Sequence, residues 1–242
     1  MTRAFRIVAG VVGILLTLLQ LFFVGASLAE VGGQGIHVVH NLMGLATTTV
    51  LVSVPLLLLA WRPHQVAVLR LVVAGGIASL LGGLLSGVLL SFLMIAVVLP
   101  IVLLLLSSDR REVFRFGSPV LALLAIAIVG AVPGVVEAAA QGDLQGGMTH
   151  GDEHISQLHY AGMSVGYLTL VLAAAWSAFP GRAARTARDL TGLAGAVLAV
   201  SFLAYPDAIG SPDTIWAVAL LAISVVYVAV AEITARKAVV AA

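Results

Sequence analysis

The chain has 242 residues, 61% of them hydrophobic and 10% charged, with a mean hydropathy of +1.15. Too little polar surface is encoded to cover a soluble core, so the sequence reads as an all-α polytopic integral membrane protein with the lipid bilayer as its first partner. The net charge of +1 comes from short basic clusters between apolar runs, which excludes a nucleic-acid-binding stripe, and the absence of cysteine excludes dithiol, iron–sulfur and thiolate-zinc chemistry.

A membrane-crossing helix needs about 20 mostly apolar residues. The first run, 4–28, is too long for a signal-peptide core and is read as a helix of the mature protein. The second covers 36–61. The third, 65–106, would be about 63 Å long as one helix and must fold back; Gly82, Gly83 and Gly87 predict the turn, giving spans at 66–81 and 88–106. Further spans are predicted at 119–139, 155–179, 190–205 and 214–233, which makes eight transmembrane helices.

Charge provides an independent check, because Lys and Arg collect in cytoplasmic loops. With eight crossings, Arg3, Arg6, Arg62, Arg70, Arg110, Arg111, Arg115, Arg182, Arg185, Arg188, Arg236 and Lys237 all fall on one side. Both termini are then cytoplasmic, and the protein is a multi-pass protein of the cell membrane. The other side carries Glu30, Asp143, Asp152, Glu153, Asp207 and Asp213, with Glu137 at the outer end of the fifth span, and five of the six histidines. An internal repeat fits this layout: 1–108 and 118–242 would be two parallel four-helix units joined by a cytoplasmic connector, 109–117. Glu30 and Glu137 end the first span of each unit. His37 precedes Gly44 by seven residues, as His159 precedes Gly166.

The middles of the predicted spans look bare of ionisable groups, which argues against a proton pump or ion channel. With Lys237 as the sole lysine, a retinal Schiff base is excluded. What remains is imidazole at the outer surface. His37 and His40 share one face of a helix with Asn41 and Gly44, and His159 is expected about one turn into the 155–179 span, followed at four and seven positions by Met163 and Gly166.

Neutral imidazole is a common metal ligand, and small neighbours let a flat macrocycle approach. One reading is therefore a b-type haem for electron transfer at the outer leaflet, quinol-linked or served by another redox partner, held by His40 or His37 and by His159 beside Asn41, Gly44 and Gly166. At GIHVVHN and at His159 to Gly166 the chain resembles the duplicated four-helix haem proteins of the cytochrome b561 and haem A synthase kind. That resemblance implies eight helices with both termini inside and histidine ligands from each unit. The families also draw histidines from the fourth helix of a unit, whereas 88–106 and 214–233 contain none. The Glu-containing histidine motif of haem A synthases is also missing, which argues against haem A synthesis. A second reading is a copper or zinc site of His150, His154, Asp152, Glu153 and His159, joined by His37 and His40, serving metal handling or a metal-dependent hydrolase with Glu153, Glu137 or Glu30 as base. A third is a cofactor-free structural subunit of a larger membrane complex or homo-oligomer.

Overall fold

A computed structural model describes residues 2–29, 37–93, 97–147, 155, 157–208 and 210–240. All regular structure among them is helical: α1 (Arg3–Ala29), α2 (Val38–Gly44), a π-helix (Leu45–Ser53), α3 (Val54–Trp61), α4 (Val66–Leu85), α5 (Leu89–Leu93), α6 (Leu99–Leu106), α7 (Arg110–Val113), α8 (Leu121–Gly147), α9 (His159–Ser177), α10 (Ala184–Ala204) and α11 (Thr214–Val240). Among these residues seven helical runs are long and apolar enough to cross a membrane, α2 to α3 counting as one continuous run. The α1, α8 and α11 helices leave large apolar side chains uncovered, including Phe22, Leu121 and Ile215. Such faces are stable only against lipid or another apolar surface.

The interior is built from the α2–π–α3 run, α4, α9 and α10. Helix α9 packs along both α4 and α8, α10 packs against α11 and the π-helix, and α1 lies along α3 and the π-helix. Small residues set these approaches, as expected where packing rather than water exclusion joins helices. A Cβ on Gly82 would sit 2.7 Å from the Val165 side chain and 2.9 Å from its backbone nitrogen. That contact explains why Gly82 and Gly83 do not turn the chain as expected: the helix runs on through them to Leu85. The reversal occurs at Gly87, at φ +68°, where Gly87 N–H donates to Leu84 O and Val88 N–H to Gly83 O, a Schellman-type stop.

Two further departures have a common cause. The 36–61 span is not a uniform α-helix, and neither is the described part of the 88–106 span, which enters α6 through a wider turn. Pro55 and Pro100 each lie in the first turn of the helix that resumes, and the residues just before it, Leu45–Ser53 and 97–98, are wound as π-helix. Proline removes a donor and crowds the preceding turn, and a wider turn absorbs the mismatch. Helix α8 is longer than its predicted span and ends at Gly147, so Glu137 lies ten residues inside it rather than at its end. Helix α8 thus carries an ionisable side chain well inside its length.

One end of the bundle gathers the basic residues. Arg6 Nε donates to Ala60 O at 2.8 Å and Thr2 Oγ1 to Leu106 O at 3.4 Å, while Arg185 makes a two-pronged pair with Glu232 at 2.7 and 2.8 Å. Arg70, 2% exposed, donates to four carbonyls: Val113 (2.9 Å), Pro180 (2.8 Å), Glu112 (3.1 Å) and Arg115 (2.9 Å). Its guanidinium also lies over the Phe116 ring. Both loops at this end are thereby tied to α4 by one side chain. Asp109 adds a tie between His64 (2.8 Å) and Arg182 (2.9 Å). Burial pushes the Asp109 carboxyl up, but the hydrogen bond from His64 and the charge of Arg182 outweigh it and hold the group below the usual carboxylate range. A depressed carboxyl contributes stability that is complete above its unfolded value and is lost as pH falls through the folded one. Since His64 and Arg182 are half-exposed, Asp109→Asn is expected to cost only about 0.5–1 kcal/mol at neutral pH, and nothing in strong acid. Thermal unfolding of both proteins across pH 2–7 checks this.

Candidate metal centre

The two histidine clusters, placed 119 or more residues apart in sequence, meet at the end of the bundle away from Arg70. His37 occupies the N-cap position of α2 and His40 lies one turn inside it. His159 is the first residue of α9, not one turn in as expected, because Leu158 adopts a left-handed conformation (φ 59°, ψ 31°) that starts the helix there. A non-glycine residue in that conformation costs about 1–2 kcal/mol. The cost is spent at the residue that aims His159.

The rings converge closely. His37 Nδ1 and His159 Nδ1 are 3.2 Å apart, so one donates and the other accepts. The His40 and His159 rings stack with centroids 5.1 Å apart and planes 28° apart, and Tyr160, fully buried, presents an edge contact to His40. One nitrogen from each of the three imidazoles lies within 4.8 Å of the others, and among the described residues no carboxylate joins them. For a tetrahedral zinc with bonds of about 2.0–2.1 Å, neighbouring ligand atoms stand roughly 3.3 Å apart. The His37–His159 pair has that separation already, and a small swing of His40 would complete three sides of the shell.

Comparison with protein-family models, with curated proteins and with solved structures finds no match to this chain. The site must be judged on its own geometry.

Haem ligation through two histidines would turn one ring edge of each toward a central iron with the macrocycle between them. His40 and His159 instead meet face to face at 5.1 Å. The pair as it stands does not fit a macrocycle clamped between these two rings. A single ion fits better.

Around the imidazoles the remaining predicted residues act as supports. Asn41 Nδ2 donates to Ser27 Oγ, which donates on to Phe23 O at 2.9 Å, while Gln20 Nε2 donates to Asn41 O at 2.8 Å. Helix α1 is thus clamped to the turn that carries His40. A Cβ on Gly44 would lie under 3 Å from the Gln20 amide and would push that side chain off Asn41 O, and a Cβ on Gly166 would displace the end of the Met43 side chain, 2.6 Å away. Gln20 and Ser27 escaped the sequence reading, although an amide in the otherwise apolar first span was the available signal. His150, Asp152, Glu153 and His154, with Met148, Ser156 and Glu30, lie outside the described residues.

The cluster stands between two cavities that share His159. One, of ≈ 270 Å³, runs into the bundle from His40 and is lined by Gln20, Thr47, Ser79 and Thr169 among apolar groups. The other, of ≈ 310 Å³, opens on the far side against His37, Asn41 and Gln157. Among the described residues, both cavities reach the imidazoles.

Proposed function

We propose that this protein binds one copper or zinc ion through His37, His40 and His159, at the outer surface of the cell membrane, as a metal-handling membrane protein. The observation that carries the reading is the convergence of three imidazole nitrogens within 4.8 Å from two distant segments. Imidazole suits both metals, and among the described residues a cavity reaches the cluster beside His37, as a metal site needs. Haem remains the alternative. It is favoured by the glycines that line the inner cavity beside His40 and His159, among them Gly44, Gly75, Gly76 and Gly162, where a macrocycle carried by a single axial imidazole could lie.

Eight crossings, both termini in the cytoplasm and two parallel four-helix units complete the proposal. The contacts of Thr2 with Leu106 and of Arg185 with Glu232 support it, since they bring both ends of the chain and the end of α6 to the arginine end of the bundle, and basic residues favour the cytoplasmic face. The packing supports the repeat: α9 lies against α4 as the π-helix lies against α10, and α8 against α9 as α1 against α3. Arg70 and Arg188 are each the fifth residue of their helix, each buried, and each bonded to backbone carbonyl oxygen.

Metal analysis and an absorption spectrum of the detergent-purified protein test the function together. Stoichiometric copper or zinc with no Soret band supports the metal reading; a Soret band with sharp reduced bands supports haem; neither sinks both. Because metal binding requires unprotonated imidazole, bound metal is expected to be released on acidification. A pH titration of bound metal with flat occupancy down to pH 4 would contradict ligation by histidine.

A further inference from the structure

We propose that the cavity among α8, α9, α10 and α11 is a second binding site, for a lipid-soluble molecule whose ring carries a hydroxyl, of the phenol or quinol class. Its walls are Pro133, Gly134 and Glu137 from α8, Tyr167 from α9, Phe202 from α10 and Trp216 from α11, enclosing ≈ 100 Å³. That is the order of size of an engineered apolar cavity that holds benzene, about 150 Å³. One aromatic ring fits.

Two polar groups in this apolar chamber call for a ligand. The Tyr167 side chain is 5% exposed and its hydroxyl has no hydrogen-bond partner, an unfavourable state inside a packed bundle. Glu137 lines the same cavity, ten residues from the end of α8, within electrostatic reach of Tyr167. An ionisable residue at such a depth marks a functional site by default. A ring hydroxyl answers both groups at once: it donates to the Glu137 carboxylate and accepts from Tyr167 O–H. The remaining wall is apolar or aromatic apart from Thr191 and Ser224, and their hydroxyls, like that of Tyr227, are already bonded to backbone carbonyls. Helices α8 and α11, which flank the opening, expose Val129, Val132, Ile215 and Val218, so an alkyl tail can leave the chamber into lipid. This site uses none of the three imidazoles and stands apart from the metal reading.

The test uses the full chain in lipid nanodiscs under anaerobic conditions, with a decyl-substituted benzoquinol, its oxidised benzoquinone and decanol as probes. Binding is read as quenching that is lost in Trp216→Phe. Saturable binding of the quinol is expected, with the quinone at least about tenfold weaker because it offers no proton to Glu137, and no saturation by decanol. Glu137→Gln is expected to remove the preference for quinol over quinone. Tyr167→Phe should weaken the quinol about tenfold while leaving the thermal unfolding midpoint unchanged or raised, since the native hydroxyl is unpartnered. Equal, unsaturable partitioning of all three probes would overturn the proposal, as would unchanged quinol affinity in both variants.

Discussion

His159→Ala is expected to lower the affinity for zinc or copper by more than about 100-fold, because even residues that only orient a metal ligand cost 10–100-fold when removed. His159 is the member that touches both others, lying 3.2 Å from His37 Nδ1 and stacked on His40. His40→Ala should approach the same loss. Asn41→Ala should fall in the 10–100-fold range, since Asn41 holds the turn bearing His40 to Ser27 without presenting an atom to the cluster. His64→Ala, at the opposite end beside Asp109, serves as the control and should leave affinity unchanged. Competition with a chromophoric chelator measures all four. Equal affinity in native and His159→Ala proteins would remove the site.

Arg70→Met should produce a larger loss of stability than Arg188→Met or Asp109→Asn, because it leaves several carbonyls without their donor at about 1–3 kcal/mol for each one that stays buried and unsatisfied. The substitution strips the donor from four carbonyls, those of Glu112, Val113, Arg115 and Pro180. Arg70→Lys should recover less than half of this, because an ammonium on one stem cannot span acceptors arranged around a planar fork. Arg188→Met, which breaks a single bond to Ser177 O, should cost roughly 1–2 kcal/mol. Thermal unfolding in one detergent ranks the three. A midpoint for Arg70→Met equal to that of Arg188→Met would show that the carbonyl cage contributes little.

Much of this architecture is written in residue order. Apolar length locates seven of the eight predicted spans among the described residues, 88–106 being the exception, and the placing of His37, His40 and His159 at helix mouths accounts for their arriving at the same level. What the sequence concealed depends on partners. Gly82 and Gly83 look like a turn until Val165 is seen packed on them, since glycine serves close approach and reversal equally well. Glu137 looks like a loop-proximal residue because the polar stretch after it, including Gln141, Asp143 and Gln145, resembles a loop. In the fold Gln145 takes the Ala161 N–H and gives a bond to Ile155 O, which keeps that stretch helical. The buried pair Arg70 and Arg188 was visible as two letters, but only their carbonyl acceptors distinguish a structural tie from a solvated loop charge.

The π-helix at Leu45–Ser53 has a bearing on the histidines that its own contacts do not reveal. An α-helix advances about 100° of azimuth per residue. Accommodating an extra residue in a widened turn shifts the phase of everything on one side of it relative to the other by about that angle. Pro55 and Leu59 are anchored in the core on one side, and His40 sits on the other. Wound as a regular helix, the same chain would swing His40 through roughly a quarter turn, away from His159. Pro55 and the widened turn ahead of it thus act as the angular calibration of a screw, fixing which compass bearing His40 takes.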